Sequence, residues 1–167
     1  MAKIIIIGSS GAGKSTLANK LGTKLTLDVH HLDAYFWQPG WVMCSSSEQI
    51  AIQNQLVKKK SWIIDGNYGD TLNLRIKASD TIIFLDIPRL TCLYHVLKRV
   101  IRYNNKTRPD MGKECPEKLD LSFLKWTWNF KQNQRPRILK ELSNLSDNQE
   151  VIILHSTKEI DDFVNSL

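Results

Sequence analysis

Four consecutive isoleucines, Ile4 to Ile7, run without a break into Gly-Ser-Ser-Gly-Ala-Gly-Lys-Ser at positions 8–15. Few backbone arrangements accommodate that string. An uninterrupted β-branched run reads as a strand covered on both faces, as in a parallel sheet. The glycines that follow allow a tight turn whose N–H groups point inward as a nest for anionic oxygens. After the turn, Leu17, Leu21 and Leu25 recur at the spacing of one helix face. Strand, glycine turn and helix start together satisfy G-x-x-x-x-G-K-[ST], the phosphate-binding P-loop. The expected ligand is a nucleoside triphosphate, held along Gly8, Ser9, Ser10, Gly11, Ala12, Gly13, Lys14, Ser15 and Thr16. Lys14 supplies a point charge to the outer phosphates and the Ser15 hydroxyl is the expected ligand of Mg2+. A purely structural glycine turn would not require the right element on each side.

The rest of the chain repeats the rhythm. Strands are predicted at Lys3–Ile7, Thr26–His30, Ser61–Asp65, Thr81–Asp86 and Glu150–Leu154. Helices are predicted at Lys14–Leu25, Ser47–Lys59, Leu72–Ala78, Leu90–Tyr103, Asp120–Lys131, Pro136–Leu145 and Lys158–Val164. Apolar strands separated by helices define an α/β, three-layer fold, and 167 residues suit a single domain over 1–167. More than sixty residues separate the fourth and fifth strands. Pro109, Gly112 and Pro116 within that stretch mark a loop or lid at about 104–118. An acceptor-side segment is expected at about 33–60.

Several classes are excluded. No uncharged apolar stretch approaches the length of a membrane span, and Ile4–Ile7 is too short for a signal core, so a cytoplasmic chain without a membrane partner is expected. Cys44, Cys92 and Cys115 are odd in number and far apart, which suggests neither a disulfide framework nor a zinc site. Thirteen Lys or Arg against four Asp or Glu fall between Arg89 and Lys140, more than the whole formal net charge of +6. Such a segment suits a polyanion, either nucleotide phosphates or a nucleic acid, or else a solvated face.

A magnesium-holding acid should stand at the tip of a strand beside the P-loop. Asp65 ends "SWIID" and Asp86 ends "IIFLD". Asp65 is favoured because Gly66 allows close approach of a ligand, whereas Asp86 precedes Ile87-Pro88 and can cap a helix.

With the P-loop, "WIIDGNY" and "IIFLDIPRL" in hand, the chain resembles the adenylate-kinase-like branch of P-loop kinases. It looks more closely like the small proteins called DNA topology modulation proteins, through "HHLDAYFWQPGW", "DTIIFLDIPR", "KTRPDM", "CPEKLDLSFLKWTWNF" and "RPRILKEL". The resemblance covers nearly the whole chain. It implies a five-stranded parallel sheet in the order 2-3-1-4-5 with a mobile lid after strand four. It also implies that Arg99 meets the phosphates, that His95 stands at the adenine place or packs as a helix residue, and that Arg135 clamps the transferring phosphoryl group. Arg108 and Arg137 are secondary candidates, equally readable as solvated surface.

On the acceptor side the resemblance thins. Asp70 stands where adenylate kinases carry an arginine, and "HHLDAYFWQPGW" supplies none, so AMP is not the expected acceptor. Asp33 resembles the aspartate that holds the acceptor hydroxyl in shikimate-kinase-like enzymes, as base or second metal contact. Tyr35 and Trp37 are acceptor-binding candidates, or part of an apolar hinge with Phe36 and Trp41. Arg75 could reach an acidic or phosphorylated substrate. His30 and His31 are adjacent on a strand and point to opposite faces, which argues against a metal pair.

The sequence thus predicts a Mg2+-dependent kinase-like enzyme moving the γ-phosphoryl group of ATP to an unidentified small acceptor. Lys14, Asp65, Arg99, Arg135 and Asp33 carry the chemistry in that reading. ATP rather than GTP follows from the lack of an N-K-x-D string. The alternatives are an ATP-dependent DNA-binding regulator of DNA topology and a nucleotide switch with little turnover. Direct nucleic-acid contact is not favoured, and a monomer or dimer is expected.

Overall fold

The computed structural model describes residues 2–167. The first half runs β1 (Lys3–Gly8), α1 (Lys14–Leu25), β2 (Val29–His31), α2 (Leu32–Phe36), β3 (Trp37–Gln38), β4 (Val42–Met43), α3 (Ser46–Leu56) and β5 (Trp62–Asp65). After a short 3-10 turn at Gly69–Thr71 come α4 (Leu72–Ala78), β6 (Thr81–Leu85), α5 (Arg89–Tyr103), α6 (Leu121–Asn133), α7 (Arg135–Leu142), β7 (Glu150–Leu154) and α8 (Thr157–Ser166).

Five strands form one parallel sheet in the order β2-β5-β1-β6-β7. Counted within that sheet alone, the order is 2-3-1-4-5, as the resemblance implied. The isoleucine run is central because both of its faces are covered. Ile5 and Ile7 pack with Leu32, Phe36, Leu72, Ile76, Phe130 and Ile138, while Ile4 and Ile6 pack with Leu17, Leu21, Cys92 and Ile160. Full burial of each such side chain stabilises the fold by about 1.5–3 kcal/mol, so a two-sided core explains why no polar residue interrupts the run.

Two departures from the predicted elements have local causes. The second strand begins at Val29 because Thr26, with φ 54°, caps α1 in the left-handed region instead of extending. The segment after His31 coils into α2 and then forms the small antiparallel hairpin β3–β4, which turns through Gly40 and Trp41 at φ 76° and 63°.

The long connection between α5 and α6 carries no strand or helix beyond a bridge between Thr107 and Pro116. It ends where Asp120 caps α6, accepting from the N–H groups of Ser122 and Phe123 at 2.9 and 3.2 Å. This segment lies on the β3–β4 hairpin. The Gly40 N–H donates to the Glu114 carbonyl and Trp41 Nε1 donates to the Pro116 carbonyl, each at 3.0 Å. Gly112 seats so closely that a Cβ there would stand 1.8 Å from the Trp37 carbonyl oxygen. Among the described residues no helix is long and apolar enough to cross a membrane.

Candidate active site

The glycine turn opens at the C-terminal end of β1, where α5 passes beneath it. Gly11 has φ 74°, and a Cβ there would come within 2.2 Å of the Cys92 carbonyl oxygen. Only glycine lets the loop rest on α5 in that way. Residues 10–16 line a cleft of about 710 Å³. His31, Asp33, Asp65 and Gly66 line it from the β2 and β5 side, and His95, Lys98, Arg99, Arg102 and Tyr103 from α5. The lid contributes Arg108, Pro109 and Asp110, and α8 contributes Thr157, Ile160 and Asp161.

Lys14 folds back so that its Nζ donates to the Ser9 carbonyl at 2.8 Å. Burial pushes its pKa below that of an ordinary lysine, while Asp33 and then Asp65 act in the opposite direction. The ammonium therefore stands within the field of both carboxylates. A bound phosphate oxygen would offer it a stronger acceptor than the neutral carbonyl.

The Ser15 hydroxyl donates to Asp65 Oδ2 at 2.8 Å, and His31 Nδ1 donates to Asp65 Oδ1 at 2.7 Å. Asp65 is only 3% exposed. His31 Nε2 lies 3.2 Å from the side-chain oxygen of Asn19, so both ring nitrogens face acceptors, as suits an imidazolium. Burial works against that charge, but the hydrogen bond and charge of Asp65 outweigh it and raise the His31 pKa, with help from Asp110 and Asp33. A hydroxyl and a carboxylate oxygen in contact beside a phosphate nest are the hard-oxygen donors that Mg2+ prefers. Ser15 and Asp65 fit that ion.

The competing acid, Asp86, is occupied elsewhere. Arg135 Nε and Nη2 donate to its two carboxylate oxygens, each at 2.9 Å, and His155 stands 3.5 Å away. Arg135 does not line the cleft. Arg135, expected to clamp the transferring phosphoryl group, here ties the start of α7 to the end of β6.

The lid supplies an arginine instead. Glu117, 5% exposed, accepts from Arg99 Nε at 3.0 Å through Oε1 and faces Arg108 Nε at 2.8 Å through Oε2. Arg108 Nη1 also donates to Asp110 at 3.0 Å. Burial lowers the Arg99 pKa and the neighbouring Arg108 lowers it further, with Glu117 opposing. Burial alone would raise the Asp110 pKa, but Arg108 and the Ser15 hydroxyl bring it below the usual carboxylate value. Sequence reading missed Glu117 and Asp110 as members of the site. The available signal was their position as rare acids inside the basic lid.

His95 lines the cleft, yet its Nδ1 donates to the Gly11 carbonyl at 2.8 Å, so it supports the loop from α5. Asp33, on α2, accepts from the Tyr68 hydroxyl through Oδ1 at 2.6 Å. Burial and then Asp33 raise the Tyr68 pKa, which keeps the phenol neutral and donating. Tyr68 is a third residue that the sequence did not single out.

Three acceptor-side candidates lie outside the cleft. Tyr35 is 42% exposed and its hydroxyl meets His30 Nδ1 at 2.9 Å. Trp37 meets Trp41 edge to face, with ring centroids 5.4 Å apart, and lies under the lid at Gly112. Arg75 is fully buried. Its guanidinium donates to Gln53, to Thr71 Oγ1 and the Gly66 carbonyl at 3.2 Å, and to the Tyr68 carbonyl at 3.4 Å. Burial pushes its pKa down to about 10. Arg75 shapes the turn after β5 and does not line the cleft.

Comparison with solved structures aligns essentially the whole chain with three kinases. Shikimate kinase from Acinetobacter baumannii, in complex with shikimate, matches at TM-score 0.64 and 15% identity, covering 99% of this chain and 90% of that one. Shikimate kinase from Bacteroides thetaiotaomicron matches at TM-score 0.54 and 14% identity, covering 99% and 95%. Deoxyadenosine kinase from M. mycoides matches at TM-score 0.52 and 15% identity, covering 98% and 96%. No protein-family model and no curated protein matches the chain. At these identities the likeness is one of fold, and the chain has the α/β P-loop kinase fold.

Proposed function

We propose that this chain is a Mg2+-dependent phosphotransferase that moves the γ-phosphoryl group of ATP to the hydroxyl of a small acceptor. One observation carries the reading. Lys14, the phosphate-facing cation of the P-loop, lies in the fields of Asp65, bonded to Ser15, and Asp33, bonded to Tyr68. Groups for the donor and for an acceptor therefore meet in one cleft. The kinase neighbours support the same reaction class by analogy of fold.

The phosphates bind against the N–H groups of the loop and the start of α1, and Lys14 exchanges the Ser9 carbonyl for a phosphate oxygen. Mg2+, when bound, neutralises phosphate charge, with Ser15 and Asp65 as its protein contacts. Asp33 orients the acceptor hydroxyl and takes its proton as that oxygen bonds to the γ-phosphorus. The bond from the γ-phosphorus to the bridging oxygen breaks and ADP leaves. Arg99 and Arg108, held by Glu117, stabilise charge on the transferring group. The lid over the hairpin keeps water from competing with the acceptor.

ADP release tests the reading. It should rise on adding a suitable alcohol and vanish in Lys14→Ala. ATP consumption that no alcohol alters would contradict it.

A second reading has its own support. Lys98, Arg102, Lys118, Lys125 and Lys131 are exposed along α5, the lid and α6. An ATP-dependent DNA-binding regulator would bind duplex DNA with a log–log salt slope worth several phosphates, about −0.9 for each. A flat slope would remove that reading.

A further inference from the structure

The two ends of the cleft differ in charge, and the difference bears on the acceptor. Toward α5 it presents Lys98, Arg99 and Arg102 beside the P-loop lysine, a surface suited to the donor's phosphates. Toward β2 and β5 it presents His31, Asp33, Asp65 and Gly66, roofed by Arg108, Pro109 and Asp110 of the lid. The cations at this second end already have carboxylate partners. His31 is 2.7 Å from Asp65, and Arg108 is 2.8 Å from Glu117 and 3.0 Å from Asp110. Arg75, whose sequence position invited the idea of an acid-reading arginine, donates its guanidinium to Gln53, Thr71 and two carbonyls and lines no part of the cleft.

Asp33 is in the opposite condition. Its Oδ1 accepts from Tyr68 at 2.6 Å, and among the described residues no donor is bonded to Oδ2. This end of the cleft therefore offers acceptor oxygens to a ligand, and the cation nearest them without a carboxylate partner is Lys14, which the donor's phosphates would engage.

Resting on the phosphotransferase reading, we propose that the acceptor is an alcohol carrying no acid group, either neutral or cationic, and that carboxylic acids and phosphate esters are excluded. With Lys14 and the Mg2+ of the phosphotransferase reading taken up by the donor's phosphates, and His31 and Arg108 already paired, a substrate carboxylate or phosphate near Asp33 would find no free counterion. A desolvated like-charge contact is strongly unfavourable. A neutral hydroxyl donates to Asp33 Oδ2 and meets no such opposition. A substrate ammonium group gains from the same carboxylates.

Matched acceptor pairs that differ by one acid group test the proposal. Suitable pairs are a nucleoside with its 5′-monophosphate, a sugar alcohol with its sugar acid, and an amino alcohol with its hydroxy amino acid. ADP release with ATP–Mg2+ is measured for each, alongside a nucleotide thermal shift to establish that the P-loop is loaded. The expected result is turnover with the acid-free member of at least one pair, with kcat/KM on the order of 10²-fold above its acid partner. An acid member used equally well or better overturns the substrate class and leaves phosphotransfer standing. No response to either kind of member, with nucleotide bound, overturns both.

Asp110→Asn provides a second measurement, because it removes one of the two carboxylates on Arg108 without changing side-chain size. In a variant that keeps its nucleotide shift, the acid-to-neutral ratio of kcat/KM should rise by about tenfold. An unchanged ratio would contradict the role assigned to the paired arginine.

Discussion

The Ser15 hydroxyl donates to Asp65 Oδ2 across 2.8 Å, tying the first turn of α1 to the tip of β5. Asp65 lines the cleft beside the phosphate-binding turn, whereas Asp86 is paired with Arg135 outside it. Asp65→Asn should lower kcat by on the order of 10²-fold or more. It should also move the Mg2+ requirement to higher concentration. Magnesium titration of ADP release checks both, with Asp86→Asn as the control that leaves the requirement in place.

Arg108 and Arg135 should behave differently when each is truncated. Arg108→Ala removes a cation from the cleft wall and should cost on the order of 10²-fold in kcat. Arg135→Ala breaks the pair with Asp86 outside the cleft. It should lower Tm while kcat stays within a few-fold of the parent. Steady-state kinetics with melting curves for both variants separates the roles.

His31 gives stability a pH dependence. Its pKa is raised in the folded protein, against burial, chiefly by Asp65. A raised folded-state pKa means that the protonated form favours folding. The contribution is fully present below the unfolded value of about 6.5 and is lost as pH rises through the raised folded value. The Tm gap between the parent and His31→Asn, both in chelator, should be largest near pH 5.5 and shrink by pH 8.5. A gap that widens with pH would be contrary.

Gly112→Ala addresses the lid. The added Cβ would fall 1.8 Å from the Trp37 carbonyl oxygen, so the backbone of one partner must move. Separation of lid and hairpin should let water in, raising acceptor-independent ATP hydrolysis relative to transfer. Tryptophan fluorescence should change with it, since Trp41 bonds the lid at Pro116.

Arg75→Ala should act on stability. It leaves Gln53, Thr71 and the turn carbonyls without a buried donor, at a cost of about 3 kcal/mol or more. A fall in Tm of roughly 10 °C is expected for a chain of this size.

Local patterns carried the sequence reading a long way. The isoleucine run and the glycine turn imply strand, nest and helix together, because each of those types is required by its neighbours. Lys14–Leu25, Leu72–Ala78 and Glu150–Leu154 have the bounds that periodicity implies. Pairings between distant residues were not legible in the same way. Arg135 beside Pro136 looks like any arginine at a helix start, and its partner Asp86 lies 49 residues earlier. Arg75 sits in an amphipathic helix where periodicity cannot distinguish a cleft-facing cation from a buried one satisfied by carbonyls. Tyr68 and Glu117 acquire their roles only when Asp33 and Arg99 are brought to them. The two-residue strands of the hairpin are too short for any alternation to register.

The central claim is that the cleft transfers phosphoryl groups to an alcohol. Phosphorus NMR of the protein with ATP–Mg2+ and a mixture of acid-free alcohols tests it most directly. The expected spectrum gains a phosphomonoester signal matching the ADP formed, and Lys14→Ala abolishes both. ADP accompanied by inorganic phosphate alone, or no ADP from nucleotide-bound protein, would contradict it.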